Sequence, residues 1–178
     1  MPTVYTIGHS TRSLADFSRI LQAHDVKLLE DIRAFPMSRR FPHFNRERLE
    51  MWLPEVGCDY VWEKDLGGRR KRQMAAEQSP NFALRNESFR NYADYMLSAQ
   101  FEEAVGRLVE RASRLNTAIM CAEAVYFHCH RMLVSDYLVT RGHTVLHILD
   151  EKPPKPHALS KDARFIDGKL VYRGDYLL

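Results

Sequence analysis

What this sequence of 178 residues has little of narrows its class first. No stretch approaches the roughly 18 consecutive apolar residues that a membrane-crossing helix needs, so no membrane partner is expected. The opening MPTVYTIGHS has neither a basic start nor a long apolar run, and no secretory signal is expected from it. Cysteine is scarce and odd in number, three in all, which does not make a disulfide framework. A cytoplasmic, reducing setting is therefore expected, where a cysteine beside a histidine more often serves chemistry or metal binding than cross-linking. An excess of charge of one sign is also nearly absent. The formal net charge of +3 permits an anionic partner without demanding one. No internal repeat occurs, and Lys152-Pro153-Pro154-Lys155-Pro156 is the single low-complexity block. At this length, with 45% hydrophobic residues, one well-buried core is expected.

The periodicities then alternate. Val4-Tyr5-Thr6-Ile7, closed by Gly8, reads as a first strand with His9-Ser10-Thr11 as its loop. Ser13, with Asp16 three residues on, starts a helix whose apolar face is Leu14, Phe17, Ile20 and Leu21. Val26 to Ile32 reads as a second strand, ending in Asp31 and Arg33. Asn45 can cap a helix with Leu49, Trp52, Leu53 and Val56 on one face, ended by Gly57. Asp59 to Trp62 is a third strand, and the polar run from about 64 to 90 is expected to be the mobile region. Helical spacing returns from Asn91 to Ala112 with a break near Ser98. Thr117 to Met120 follows as a buried strand, Met132 to Thr140 as a helix, and Thr144 to Leu149 as a fifth strand. The expected fold is a single-domain, doubly wound, Rossmann-like α/β protein. Its sheet is mainly parallel and five-stranded, flanked by helices, in the strand order 3-2-1-4-5. Residues 1–150 form that domain. Residues 151–178 are a Pro-rich connector and a β-hairpin around Asp167-Gly168, a short C-terminal extension.

The chemistry concentrates in Met120 to Arg131, MCAEAVYFHCHR. Cys121 and Glu123 should end a strand, and Cys129-His130-Arg131 should open the next helix. A helix start presents unpaired N–H groups and a positive dipole end, which favour a thiolate and an anion. Three polar or reactive side chains in a row are costly to bury without purpose.

Several motifs occur here in one order: TIGHS, the run DIR-x2-P-x-SRR-x-P-x-F, LGGRR, CAEA followed by CHR, and the HI of the fifth strand. Together they resemble the family catalogued as domain of unknown function 488, over residues 4 to about 150. Asp31-Ile32-Arg33 stands where such proteins commonly have Asp-Val-Arg, and Ala124 to His128 is bulky. The resemblance implies the fold and the site, not a reaction.

Three readings follow. In the first, an enzyme acts on a nucleotide, nucleic acid or other phosphorylated ligand. Cys129 would be its nucleophile, Glu123, His9 or His130 would move protons, and Arg33, Arg39, Arg131 and Ser10 would hold the anion. Asp31, Cys121 and Arg69 would support them. The distances of ten residues from Cys121 to Arg131 and two from Cys129 do not match a phosphatase loop. In the second, Cys121, Cys129 and His130 ligate zinc or iron in an open site, completed by His9 or His147. In the third, Arg33-Ala34-Phe35 and Arg39-Arg40-Phe41-x-His43-Phe44 interleave cations with rings, the pattern of a nucleic-acid-binding module. Blander readings compete. Cys58 is an inert thiol, His147 a core histidine, and His24, His143 and His157 surface positions. Asp31 with Arg33 would be an ion pair ordering its loop, and Arg69 to Arg72 a solvated run.

Overall fold

Local signals place the elements where they form. In the computed structural model, which describes residues 1–175, β1 (Thr3–Gly8) runs into α1 (Leu14–Ala23). The Ser13 hydroxyl caps α1 by accepting the Asp16 N–H at 3.1 Å. β2 (Leu28–Asp31) leads to α2 (Arg46–Trp52), which is shorter than its apolar spacing implies. Pro54 stops it, and a single tight turn, Pro54–Val56, ends at Gly57 with φ of +76°. Asn45 precedes α2 as expected, yet its Oδ1 accepts the N–H of Ser38 at 2.6 Å and so ties the loop instead of the helix. β3 (Asp59–Trp62) follows. Farther on, α3 (Glu87–Tyr95) and α4 (Ala99–Ala112) are separated at Ser98, whose hydroxyl caps α4 by accepting the Phe101 N–H. β4 (Thr117–Cys121), α5 (Arg131–Thr140) and β5 (Thr144–His147) complete the alternation.

Among the described residues the central sheet has six strands in the order β3-β2-β4-β1-β5-β6, where β6 is Lys155–Pro156. The expected order 3-2-1-4-5 is corrected here: β4 lies between β1 and β2. Each of the five residues of β4 is buried, whereas Thr3 and Tyr5 of β1 are only half-buried, and the strand covered on both faces takes the inner place. Neighbouring strands leave no trace of one another in local periodicity, so the spacing of apolar residues could not fix this order. β6 adds an antiparallel edge from the segment read as a connector, and proline is tolerated at such an edge.

Two apolar clusters cover the sheet. Phe17 and Leu21 of α1 with Leu49 of α2 pack beneath Ile7, Leu29 and Met120. On the other face, Tyr92, Phe101, Leu108 and Leu133 pack over Val4, Ile119 and Val145. The C-terminal hairpin joins that second cluster. β7 (Ala163–Ile166) and β8 (Lys169–Tyr172) turn at Asp167 and Gly168, both with positive φ, as a two-residue hairpin loop requires. Leu170 and Tyr172 lie buried in the core, and residues 176–178 of the expected tail lie outside the described residues. The stretch from 64 to 90 is tied down from α3. Tyr92 donates to the Leu66 carbonyl, and Asp94 accepts from Ser79 and Asn81 at 2.6 and 2.8 Å. Among the described residues, no helix is long and apolar enough to cross a membrane.

This topology makes the site. The loop after β1 goes to α1 on one face, and the loop after β4 goes to α5 on the other. The loops therefore part over the carboxyl ends of two paired strands, where Gly8 lies opposite Cys121. At Gly8 the backbone of the β4 loop presses so close that an added Cβ would sit 1.7 Å from the Glu123 carbonyl oxygen. Gly8→Ala is therefore expected to lower unfolding free energy by at least about 1–3 kcal/mol, the range of an overpacked core. Urea unfolding measures it, and an unchanged midpoint would show that the β4 loop gives way freely.

Candidate functional site

Arg131 opens α5 and is buried, with 1% of its surface exposed. Among the described residues its guanidinium has no carboxylate partner. Nε donates to Cys121 Sγ at 3.0 Å and to Cys129 Sγ at 3.3 Å, Nη1 donates to Thr6 Oγ1 at 3.3 Å, and Nη2 to the Glu123 carbonyl. The Arg131 backbone N–H also points at Cys129 Sγ, 3.4 Å away. Holding a cation in the interior costs several kcal/mol unless an anion answers it. Here the groups able to supply that anion are the two thiols, whose sulfurs lie 3.1 Å apart as free cysteines.

The pair divides the proton unequally. Cys129 falls from the ordinary thiol value of 9.0 to about 6, because Cys121 donates a hydrogen bond to it and Arg131 attracts its charge, against the effect of burial. Cys121 moves the other way, pushed up by burial and by that same hydrogen bond. The pair thus favours ionisation at Cys129 over Cys121, with one guanidinium hydrogen-bonded to both sulfurs. Cys58, read as inert, is buried elsewhere in the core and raised to about 12 by desolvation.

Behind Arg131 runs a buried chain of hydrogen bonds that the sequence did not reveal as a unit. The Thr6 hydroxyl, having accepted from Arg131, donates to His147 Nδ1 at 2.7 Å. His147 Nε2 donates to His157 Nδ1 at 2.9 Å, and His157 Nε2 donates to Asp136 Oδ1 at 2.8 Å. His147 is held neutral, lowered to about 3 by burial and by the neighbouring His157 and Arg131, with the Tyr126 ring stacked on it at 3.5 Å. Asp136 also accepts from Ser160 and Tyr172, so one buried carboxylate joins the tail to α5. His157, expected at the surface, has a side chain only 1% exposed. Its neighbours Pro156 and Ala158 carry no helical or strand pattern that predicts burial.

The two thiols line an open cleft of about 940 Å³ at the carboxyl ends of the strands, together with His9, Ser10, Arg33, Glu123 and His130. Ser10 enters its turn at a φ of +51°, a left-handed conformation uncommon outside glycine, and its N–H donates to the Ala122 carbonyl. His9 stacks on Phe44 at 4.5 Å and donates from Nδ1 to the Ser10 carbonyl, leaving Nε2 facing Arg33 at 3.4 Å. Burial lowers His9 to about 4, which makes it a neutral acceptor and a weak base. Arg33 is committed inward. It grips both oxygens of Asp31 at 2.9 and 2.6 Å and donates to the Phe44 carbonyl at 2.7 Å, the loop-ordering ion pair in full. Tyr60 donates to the same carboxylate at 2.6 Å.

His130 serves as a strut between α5 and β2, donating from Nε2 to the Ile32 carbonyl at 2.8 Å and lowered to about 4 by burial. Gly68 packs on its ring so closely that a Cβ would meet Nδ1 at 2.5 Å. The zinc or iron set of Cys121, Cys129 and His130 is therefore not brought together: the ring is turned to β2 and both sulfurs belong to Arg131. Among the described residues, no group of three or more His, Cys, Asp or Glu side chains could hold a metal ion. Glu123 differs from all these. It is exposed on the cleft wall, and among the described residues no hydrogen bond or ion pair holds its carboxylate, while its carbonyl anchors Arg131.

Exposed cations stand at the rim. Arg69 lies over the Phe35 ring at 5.7 Å and Arg40 over Phe41 at 5.3 Å, and all four side chains line the cleft. Arg39 is exposed but outside the lining residues, so its neighbour Arg40 takes the place expected for it.

The fold and the cleft define a doubly wound α/β protein with a cysteine-centred crevice. The chain belongs to the family described as Domain of unknown function DUF488, whose profile matches residues 13–138. No curated protein and no solved structure matches it.

The thiolate makes a signed prediction. A group whose folded pKa is depressed adds stability that is complete above its unfolded value and lost as pH falls through its folded value. The unfolding free-energy difference between the wild type and Cys129→Ser should therefore grow from pH 6 toward 9, the window between the folded and ordinary values. Iodoacetamide should alkylate Cys129 with a half-maximal rate near pH 6, and Arg131→Met should move that midpoint back toward 9. A difference that is flat with pH refutes the thiolate.

Proposed function

We propose that this protein is an enzyme that uses the Cys129 thiolate as a nucleophile on a nucleotide or single-stranded nucleic acid held in the cleft. The observation that carries this reading is the buried guanidinium of Arg131 beneath two sulfurs at the floor of an open, solvent-reached cleft. An arginine sequestered from ligand and spent on a thiol is the arrangement that activates a nucleophile. It also reverses the role first expected for Arg131: the anion it serves is the thiolate, and the ligand's anion falls to the rim.

The rim supports the substrate class. With Arg33 spent on Asp31, Arg40 and Arg69 remain as the cations among the lining residues, against the carboxylate of Glu123. Among the described residues no carboxylate pairs with Arg40 or Arg69, which stand beside Phe41 and Phe35, the latter 67% exposed. A cation paired with an exposed ring suits a phosphate joined to a base, one part paired and the other stacked. Glu123, exposed and lining the same cleft as Cys129, is the group we assign to proton transfer, in preference to His9 and His130, whose rings are bonded to the backbone. Three unpaired cysteines suit a reducing, intracellular setting.

The test uses two probes, a nucleoside 5′-monophosphate and a fluorescein-labelled oligothymidylate. Both are expected to bind and to slow alkylation of Cys129. Phe35→Ala should weaken oligonucleotide binding about tenfold, the loss of one base stack. Arg69→Ala should lower the slope of log affinity against log salt by about 0.7, one phosphate contact on a single strand. Binding without protection of Cys129 would make the protein a non-catalytic nucleic-acid-binding module. No binding of either probe would remove the phosphorylated ligand from the proposal.

A further inference from the structure

Nucleophilic attack needs one sulfur, yet two are held at the floor of the cleft. We infer that Cys129 and Cys121 form a reversible dithiol/disulfide couple with a hydroperoxide as oxidant, Cys129 being the residue oxidised and Cys121 the residue that resolves it. This rests on the Cys129 thiolate that the proposed function also uses, and not on the phosphorylated ligand.

The geometry carries it. The sulfurs are 3.1 Å apart and share the same Arg131 Nε, and both residues line the cleft through which a small peroxide reaches them. Cys121 is fixed by β4, where Gly8 pairs with it, and Cys129 by the turn Tyr126–His128 that leads to α5. The Cys129 N–H and Sγ both approach the Tyr126 carbonyl, so the two sulfurs are aligned by ordered backbone on either side. Cys58 is buried in the apolar cluster under α1 and α2 and does not line the cleft, so it stands outside the exchange.

The steps balance. The Cys129 thiolate attacks the terminal oxygen of the hydroperoxide, so that an S–O bond forms, the O–O bond breaks, and the alkoxide leaves and takes a proton from solvent. Cys129 is now a sulfenic acid. The sulfur of Cys121 then attacks that of Cys129. The S–S bond forms, the S–O bond breaks, and hydroxide leaves with the Cys121 proton as water. Two electrons have passed from the dithiol to the peroxide, giving an alcohol and water, or two waters from hydrogen peroxide. A low-molecular-weight dithiol returns the two electrons by exchange.

Arg131 sets the poise of the couple. The disulfide consumes the anion that answers the buried guanidinium, and among the described residues no carboxylate stands ready to replace it. The reduced form is therefore the stabilised one, and the bond, unlike a structural cross-link, is readily reduced.

Reduced protein is treated with hydrogen peroxide, then examined by intact mass and by peptide mapping without reduction. The expected result is loss of the mass of two hydrogens, a Cys121–Cys129 cross-link with Cys58 still free, reversal by dithiothreitol, and a lower Tm for the oxidised form. In Cys121→Ser, or in Cys121→Ala should the serine variant not fold, the reaction should stop at a Cys129 sulfenic acid that dimedone traps. Wild-type protein that passes to a Cys129 sulfinic acid while Cys121 stays free overturns the couple. Parallel alkylation by iodoacetamide separates the two readings. Cys129 that alkylates as a thiolate but never cross-links sinks the couple and leaves the nucleophile standing. Cys129 inert to both reagents sinks both.

Discussion

The structure depends on one buried cation. Arg131 is placed inside by its position at the first turn of α5, behind the strand ends, and water does not reach its guanidinium. Its nitrogens must then find partners within the protein, and the charge must be balanced within reach. The same few groups serve both demands. The sulfurs of Cys121 and Cys129 take Nε, the Thr6 hydroxyl takes Nη1, and the Glu123 carbonyl takes Nη2. Because none of these is a carboxylate, an ionised thiol is the anion that can answer the guanidinium by direct contact. The reactive state of the cysteine and the stability of the fold are thus one electrostatic fact.

That fact reaches beyond the site. Thr6 can accept from Arg131 because its own proton goes to His147, and His147 can receive it because its other nitrogen donates to His157 and so to Asp136. Asp136 closes the chain by holding Ser160 and Tyr172, so the C-terminal hairpin is coupled to the thiols through aligned dipoles in a low-dielectric interior. The tail reads as an appendage in composition, but it supplies His157 to this chain and Tyr172 to the core. The arginines of the cleft divide accordingly. Arg33 and Arg131 are bonded to protein groups and build the frame, while Arg40 and Arg69, exposed and lying over aromatic rings, line the cleft wall.

Much of this was legible in the chain because it is local. Ser13 and Ser98 cap helices wherever the backbone turns into one, Gly57 and Asp167-Gly168 accept left-handed φ, and apolar spacing distinguishes α1 and α4 from β3 and β4. The grouping of Cys121, Glu123, Cys129 and Arg131 was likewise legible, since a strand end and a helix start twelve residues long bring them together whatever surrounds them. The ion pair of Asp31 and Arg33 follows from their side-chain positions two apart on one face.

Tertiary structure decided the rest, for a physical reason in each case. The order of β1, β2 and β4 depends on which strand is covered on both faces, and that is settled by helices remote in sequence. Burial turned Arg131 inward to the thiols, whereas Arg39 and Arg40 are both exposed and the course of their loop sets Arg40 alone on the cleft wall. His130 and His9 are each held by a backbone carbonyl that only the folded loops bring near. The sequence by itself determined which side chains stand at the head of the crevice; desolvation and long-range pairing alone determined which of them carries the charge.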